Sequence, residues 1–179
     1  MTASRVTERH PRTAQPGDYP VIAAAVDNWW GRPVLGALPR LFLDHFHRSS
    51  LVIDGPGGLL AFLVGILSPS DPRQAYIHFA GVAPAARRQG LAQVLYTGFF
   101  ALARADGRAV VSAVTAPGNT GSIAFHRAMG FSVTGPLAGY NGPGRDLVRF
   151  ERALYASAAT PAPGRAGTGE AGGGELFLC

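Results

Sequence analysis

Residues 76–131 contain the pattern that most restricts how this chain can fold. An apolar segment at 76–82 is followed by an arginine- and glycine-containing turn at 87–90, after which leucine and phenylalanine recur at helical spacing. The segment 109–115 is almost continuously apolar, as in a strand buried on both faces, and a second helical segment ends at Gly130. The order of strand, glycine turn, helix, strand and helix predicts a mixed α/β unit.

The flanking segments predict the remaining helices and strands of the same domain. They comprise a first strand near residues 9–13, helices near 18–30 and 38–48, a hairpin of strands 51–54 and 59–67 around a glycine-rich turn, and closing strands at 131–134 and 145–152. We therefore expect one domain at residues 16–155, with a central, mostly antiparallel, twisted sheet of about seven strands flanked by about four helices. Residues 1–15 are expected to be flexible, and residues 156–179 form a low-complexity tail that is expected to be disordered.

Composition argues against several classes of protein. The formal net charge is +5 and all 16 basic residues are arginine, but aromatic and basic residues do not alternate as in nucleic-acid binders, so no nucleic-acid partner is expected. Cys179 is the only cysteine, which excludes an intrachain disulfide and fits a reducing cytoplasm. The first 20 residues contain no apolar signal segment, and the longest apolar run, 59–67, is too short to span a bilayer. A cytoplasmic protein without a membrane partner is expected.

Two motifs within residues 76–131 point to a cofactor. The first is Arg87-x-x-Gly90-x-Ala92 at a helix start, where free backbone N–H groups and the helix dipole favour a phosphate group and glycine allows its close approach. The second runs from Asn119 to Gly130-Phe131. Together they resemble the (Gln/Arg)-x-x-Gly-x-(Gly/Ala) and Asn-x-x-(Ala/Ser)-x-x-(Leu/Phe)-Tyr-x-x-x-Gly-Phe signatures of the GCN5-related N-acetyltransferase (GNAT) superfamily. One position departs from the second signature, since His126 replaces its tyrosine.

The resemblance implies that the cofactor is acetyl-CoA, as acetyl donor, and that no metal is needed. It also implies a parallel pair of strands that splay apart, so that the pantetheine arm pairs with residues 80–82 like an added strand. One N–H group of that segment would polarise the thioester carbonyl. The cofactor-binding residues implied in this way are Ala80, Gly81, Val82, Arg87, Arg88, Gln89, Gly90, Leu91, Ala92, Gln93, Asn119 and Ser122. Asn119 is also expected to cap its helix.

The same resemblance suggests the groups that move protons during transfer to a primary amine. His126 would protonate the departing thiolate if its pKa stays near neutrality; the alternative is a histidine that only packs beside the cofactor arm. His78 is the expected base, acting through water, with Tyr76 on the same face of the strand. The alternative for His78 is a histidine satisfied within the core. Val114 occupies a position where some family members carry the basic carboxylate.

The acceptor is the least constrained part of the prediction. Asp27, Trp29 and Trp30 close the first helix, where the family forms its acceptor wall, and they either bind an ammonium group or anchor the helix. The acceptor is a small-molecule amine or a protein amine, and a homodimer is left open. His45 and His47 do not share a helix face, so they predict no metal site. The missing tyrosine and carboxylate motivate an alternative, a non-catalytic CoA-binding or regulatory module of the same fold.

Overall fold

The computed structural model describes residues 10–155, so the expected tail at 156–179 lies outside the described residues. Within that range the chain forms four α-helices and a single seven-stranded sheet, which confirms the predicted fold class. The helices are α1 (Tyr19–Trp30), α2 (Leu41–Phe46), α3 (Leu91–Ala105) and α4 (Thr120–Ala128). The strands are β1 (Arg12–Thr13), β2 (Leu51–Gly55), β3 (Gly58–Leu67), β4 (Gln74–Val82), β5 (Val110–Thr115), β6 (Ser132–Leu137) and β7 (Leu147–Ala153).

The sheet has the strand order β1-β2-β3-β4-β5-β7-β6. Every neighbouring pair is antiparallel except β4 and β5, which are parallel and are paired only over Gln74–Tyr76 and Val110–Ser112. Beyond Tyr76 the two strands separate, while β4 stays paired with β3 and β5 stays paired with β7. The parallel pair is therefore splayed at its carboxyl ends, in the centre of the sheet.

Apolar side chains cover both faces of this sheet. One core lies under α3, where Leu95 and Phe99 are fully buried at the helical spacing seen in the sequence. The other lies under α1 and α2, around Val26, Phe62 and Phe79. No described helix has both the length and the apolar character that crossing a membrane requires.

A β-bulge interrupts β4 beside the point of separation. Val64 of β3 is opposite Phe79, whereas the next residue, Gly65, is opposite Ile77, which leaves His78 as an extra residue in β4. Ile77 belongs to the core under α3 and Phe79 to the core under α1 and α2. The bulge therefore changes which face each later residue of β4 occupies.

The start of the second helix differs from the expectation. The second helix begins at Leu41 rather than near Leu38, because a residue that precedes proline is disfavoured in helical conformation, and Leu38 before Pro39 has φ −128° and ψ 64°. The strand expected near residues 9–13 is present as β1, which pairs with β2, and Arg12 forms ion pairs with Asp18 and Asp54 at 2.8 and 2.7 Å.

Candidate active site

The gap between β4 and β5 exposes backbone groups of β4. The N–H of Ala83 donates to the carbonyl of Leu60 in β3 at 2.8 Å, and successive amides of an extended chain alternate in direction. The N–H groups of Ala80 and Val82 consequently point away from β3 and into the gap. Ala80 is fully buried, so the amide of this residue lies in a low-dielectric part of the gap, where a hydrogen bond is strengthened.

The turn that follows β4 presents a second set of unpaired amides. Arg88 and Gly90 have φ of 60° and 77°, and this left-handed backbone turns the chain into α3. Val94 is the first residue of α3 whose N–H reaches a backbone carbonyl, that of Gly90 at 3.0 Å. Among the described residues the amides of Leu91, Ala92 and Gln93 have no acceptor. The 15-residue helix α3 therefore directs free donors and its positive dipole end at this turn.

These amides open onto a groove of about 210 Å³. Its walls come from the end of β4, the turn, the first residues of α3 and one residue of α4, namely Val82, Ala86, Arg87, Arg88, Gly90, Leu91, Ala92, Gln93 and Phe125. Most of the cofactor residues expected in the turn thus share one groove. Gln89 is exposed and bonds the carbonyl of Ala85 through its side chain at 3.2 Å.

The two arginines of the turn differ in their contacts. The guanidinium of Arg87 points back and donates to the carbonyls of Trp29 and Val82, which join the end of α1 to the end of β4. Arg88 is exposed, and its side chain has no hydrogen-bond or ion-pair partner in the described part of the chain. The expectation that both arginines add charge for a phosphate therefore fits the contacts of Arg88 better than those of Arg87.

Asn119 holds the start of α4 against the end of β5. Its Oδ1 accepts from the N–H of Ser122 at 3.2 Å, and its Nδ2 donates to Oγ1 of Thr115 at 2.9 Å. The predicted helix cap is therefore present. Asn119 also lines a second cavity of about 480 Å³, together with Trp30 and Arg32.

His126 and Ser122 lie inside the domain rather than in the gap. Both are fully buried, and the imidazole of His126 stacks on Phe150 at a centroid distance of 3.8 Å. Nδ1 lies 2.8 Å from the carbonyl oxygen of Ser122, and Nε2 lies 3.1 Å from the hydroxyl oxygen of Tyr96. A carbonyl only accepts, so Nδ1 carries the hydrogen and Nε2 accepts from Tyr96.

This environment does not fit the proton-donor role that the sequence suggested for His126. Desolvation by burial lowers the pKa of His126 from 6.5 to about 4, against the opposing effect of its hydrogen bond to Ser122. The ring is then neutral at pH 7, and its hydrogen is already donated to a backbone carbonyl. These contacts hold the ring inside the core, and the Ser122 side chain is fully buried beside it.

His78 lies on the other face of the sheet, just beyond Tyr76, the last residue of β4 that pairs with β5. Its ring stacks on Phe42 of α2 at 3.9 Å, and Nε2 donates to the carbonyl of Ala37 at 2.7 Å. That bond leaves Nδ1 with the lone pair, without a partner among the described residues. Burial lowers the pKa of His78, so the half-buried ring stays neutral at pH 7. The ring centroid of Tyr76 lies 6.5 Å away, so these two side chains share a face as expected.

The end of α1 lies against β4 and accepts a hydrogen bond from Arg87 of the turn. Oδ1 of Asp27 accepts from the N–H groups of Val34 and Leu35 at 2.7 and 2.9 Å, so this carboxylate shapes the loop after α1. Trp30 is buried against Phe79 and lies so close to Gly81 that a Cβ there would sit 2.5 Å from the Trp30 ring. Trp30 therefore anchors α1 to β4.

Trp29 and two residues that sequence reasoning missed complete the description of the site. Trp29 is half-buried, with its ring 6.0 Å from that of Phe62. Tyr96 bonds His126 from a position that the apolar spacing of α3 does not single out. Arg32 lines the second cavity, and an isolated arginine after a helix gives no sequence signal. The described residues contain no cluster of three or more His, Cys, Asp or Glu side chains that could hold a metal ion.

Comparison with known proteins agrees with this geometry. The model of the Acetyltransferase (GNAT) family matches residues 10–131, which include β1 to β5, the turn and α4. A comparison with curated proteins gives no match.

Solved structures share the fold at low sequence identity. Ard1 from Thermoplasma volcanium is 22% identical with a TM-score of 0.70, and the match covers 81% of this chain and 97% of that chain. Diaminobutyrate acetyltransferase EctA from Paenibacillus lautus, solved with L-2,4-diaminobutyric acid and coenzyme A, is 18% identical with a TM-score of 0.66, covering 86% and 99%. yncA from Salmonella typhimurium, solved with acetyl-CoA, is 21% identical with a TM-score of 0.63, covering 86% and 98%. The family model covers more than half of the chain, which therefore belongs to the acetyltransferase (GNAT) family.

Proposed function

We propose that this protein is an acetyl-CoA-dependent N-acetyltransferase that moves the acetyl group directly to a primary amine. The observation that carries the proposal is the open gap between β4 and β5 beside the unpaired amides at the start of α3. The gap supplies donors for an extended amide-containing arm, and the turn supplies donors for a diphosphate. Solved proteins of the same fold bind acetyl-CoA or coenzyme A, as do yncA and EctA.

In this proposal the chain binds and polarises the acetyl donor mainly through its backbone. Acetyl-CoA supplies an activated thioester. The amides of Leu91, Ala92 and Gln93 hold its diphosphate, and the exposed guanidinium of Arg88 adds charge. The N–H groups of Ala80 and Val82 pair with the arm and stabilise the oxyanion that develops on the thioester carbonyl. A donor in such a position typically lowers the barrier by about 3 kcal/mol.

His78 is the proposed base. An aliphatic amine has a pKa of about 10 and is mostly protonated at neutral pH, so a proton must leave before it attacks. The free lone pair on Nδ1 of His78 receives that proton through water, and the lowered pKa of His78 keeps this lone pair available. Tyr76 lies beside this route and orders the water.

The departing thiolate is proposed to leave without a protein acid. A thiol has a pKa of about 8.5, so the thiolate is a stable enough leaving group to take its proton from solvent. His126 and Tyr96 then serve the fold, since their hydrogen bonds and stacking hold α3, α4 and β7 together.

Two measurements test the proposal. Calorimetry with coenzyme A measures binding, and thiol release from acetyl-CoA in the presence of a panel of small amines and N-terminal peptides measures transfer. Binding together with amine-dependent thiol release supports the enzyme. Tight binding without release for any amine supports the non-catalytic module instead, and absence of binding contradicts both.

A further inference from the structure

The second cavity lies across the open ends of the splayed strands. On one side is Trp30, whose ring packs on Gly81 of β4, and on the other is Asn119, which directly follows the end region of β5. Its volume of about 480 Å³ is within the range of small-molecule sites. In the proposed function the arm of acetyl-CoA lies in the gap between these strands, so a molecule in this cavity would lie next to that arm.

Among residues 10–155, Arg32 is the only charged side chain that lines this cavity. In the described part of the chain, its guanidinium has neither an ion pair nor a hydrogen bond. The nearest acidic residue along the chain, Asp27, has its Oδ1 occupied by the amides of Val34 and Leu35. The part of the lining that the structure describes thus has a positive charge and no balancing carboxylate.

The position of Arg32 is set by contacts on both sides of it. Before it, Trp30 is fixed against β4, and the N–H of Gly31 bonds the carbonyl of Asn28 at 3.3 Å at the end of α1. After it, Asp27 binds the backbone of Val34 and Leu35. These contacts fix the backbone on both sides of Arg32, and the side chain of Arg32 is exposed.

We propose that Arg32 selects an acceptor that carries a carboxylate in addition to its amine, such as a small amino acid. This inference rests on the proposed function and names the substrate class of the same site. The planar guanidinium binds a carboxylate through two parallel hydrogen bonds, which also orients the amine at the other end of the acceptor. A lining without acidic groups gives no comparable attraction to a diamine that has only positive charges.

Paired acceptors test the inference. Amino acids and their carboxamides are compared as acceptors, with kcat/KM measured at saturating acetyl-CoA. We expect the wild-type protein to prefer the acid of each pair by about fivefold, the size of effect typical of a partly exposed ion pair. Arg32→Gln should abolish this preference and leave the KM for acetyl-CoA unchanged. Arg40→Gln is the control, because Arg40 is exposed and pairs with Asp44 outside the cavity.

Each other outcome has a definite meaning. Equal use of acids and amides by the wild-type protein, or an unchanged preference in Arg32→Gln, overturns the inference while the acetyltransferase stands. A raised KM for acetyl-CoA in Arg32→Gln would mean that Arg32 binds acetyl-CoA, and this result also overturns the inference. If no amine releases thiol, the proposed function fails. Calorimetry of N-acetylated amino acids with the CoA-loaded protein then tests the carboxylate site by itself. Equal affinity in the wild-type protein and in Arg32→Gln overturns the inference.

Discussion

The guanidinium of Arg87 donates a hydrogen bond to the backbone carbonyl of Trp29, 58 residues earlier in the chain. A second hydrogen bond joins the Arg87 side chain to the carbonyl of Val82 at 3.4 Å. One side chain of the turn thus donates to a carbonyl at the end of α1 and to another at the end of β4. A cation at a helix C-terminus also interacts favourably with the helix dipole. The proposed donor site and the proposed acceptor wall are therefore joined directly.

Replacing Arg87 should disturb both sides of the site. Arg87→Ala removes hydrogen bonds from a charged donor to half-buried carbonyls, which we expect to lower the free energy of unfolding by about 2 kcal/mol. It should also raise the KM of the acceptor more than the dissociation constant of coenzyme A. Arg88→Ala is the matched control, and we expect it to weaken coenzyme A binding without a change in stability. The reverse pattern in chemical denaturation and calorimetry would contradict this assignment.

Gly90→Glu tests the amide turn. The new side chain places negative charge and bulk where the diphosphate is proposed to bind, so coenzyme A binding should fall by at least about 100-fold through like-charge repulsion and steric blocking. Gly107→Glu is a close control, because Gly107 has the same φ of 77° and equally open surroundings, but it lies at the other end of α3. Both variants place a side chain on a residue with the same positive φ. Calorimetry that shows equal losses of affinity would remove the turn from the site.

His78→Gln tests the base. Because burial lowers the pKa of His78, the wild-type rate should hold at pH 7 and decline only below pH 6.5, as the ring becomes protonated. The variant should lose about 100-fold in kcat, the low end for general base catalysis, together with this acidic limb. His47→Gln is the control, since His47 is also half-buried and bonds a backbone carbonyl, at 3.1 Å from Leu43. An unmoved acidic limb in His78→Gln would point to another base.

His126 should make the fold sensitive to acid. Its pKa is about 4 in the folded state and 6.5 when exposed, so the unfolded chain binds more protons between these values. The free energy of unfolding is therefore highest above pH 6.5. It falls by up to about 3 kcal/mol as the pH decreases to 4. His126→Phe should be less stable at pH 7, since Tyr96 loses its acceptor, but should lose less on acidification. Denaturation from pH 7 to 4 measures this, with the exposed His45→Gln expected to behave as wild type.

The elements of the fold followed from local patterns in the sequence. Helical spacing from Leu91 to Phe99 and the glycine turn before it depend on neighbouring residues, so α3 and its start were predictable. The separation of β4 from β5 was implied by the family resemblance rather than by periodicity, because both strands have ordinary apolar patterns. The bulge at His78 depends on pairing with β3, which no pattern within β4 reveals.

The orientation of side chains in the site was harder to predict from the sequence. The environment of His126 comes from Tyr96 in α3 and Phe150 in β7, so its burial and low pKa depend on tertiary packing. The motif around Gly90 predicted the position of the Arg87 backbone, but its guanidinium turned toward Trp29. A motif constrains where a residue lies along the chain, whereas the direction of a long side chain is decided by distant partners.

The short junction between β4 and β5 has a consequence for the intact domain. In the described part of the chain, strand pairing between the β1–β4 half of the sheet and the β5–β7 half is limited to three residue pairs, at Gln74–Tyr76. A molecule that filled the opening would bridge the halves and act as an additional strand between them. The ligand-free domain should therefore exchange amide hydrogens fastest where β4 and β5 face each other. Saturation with coenzyme A should slow that exchange in both strands.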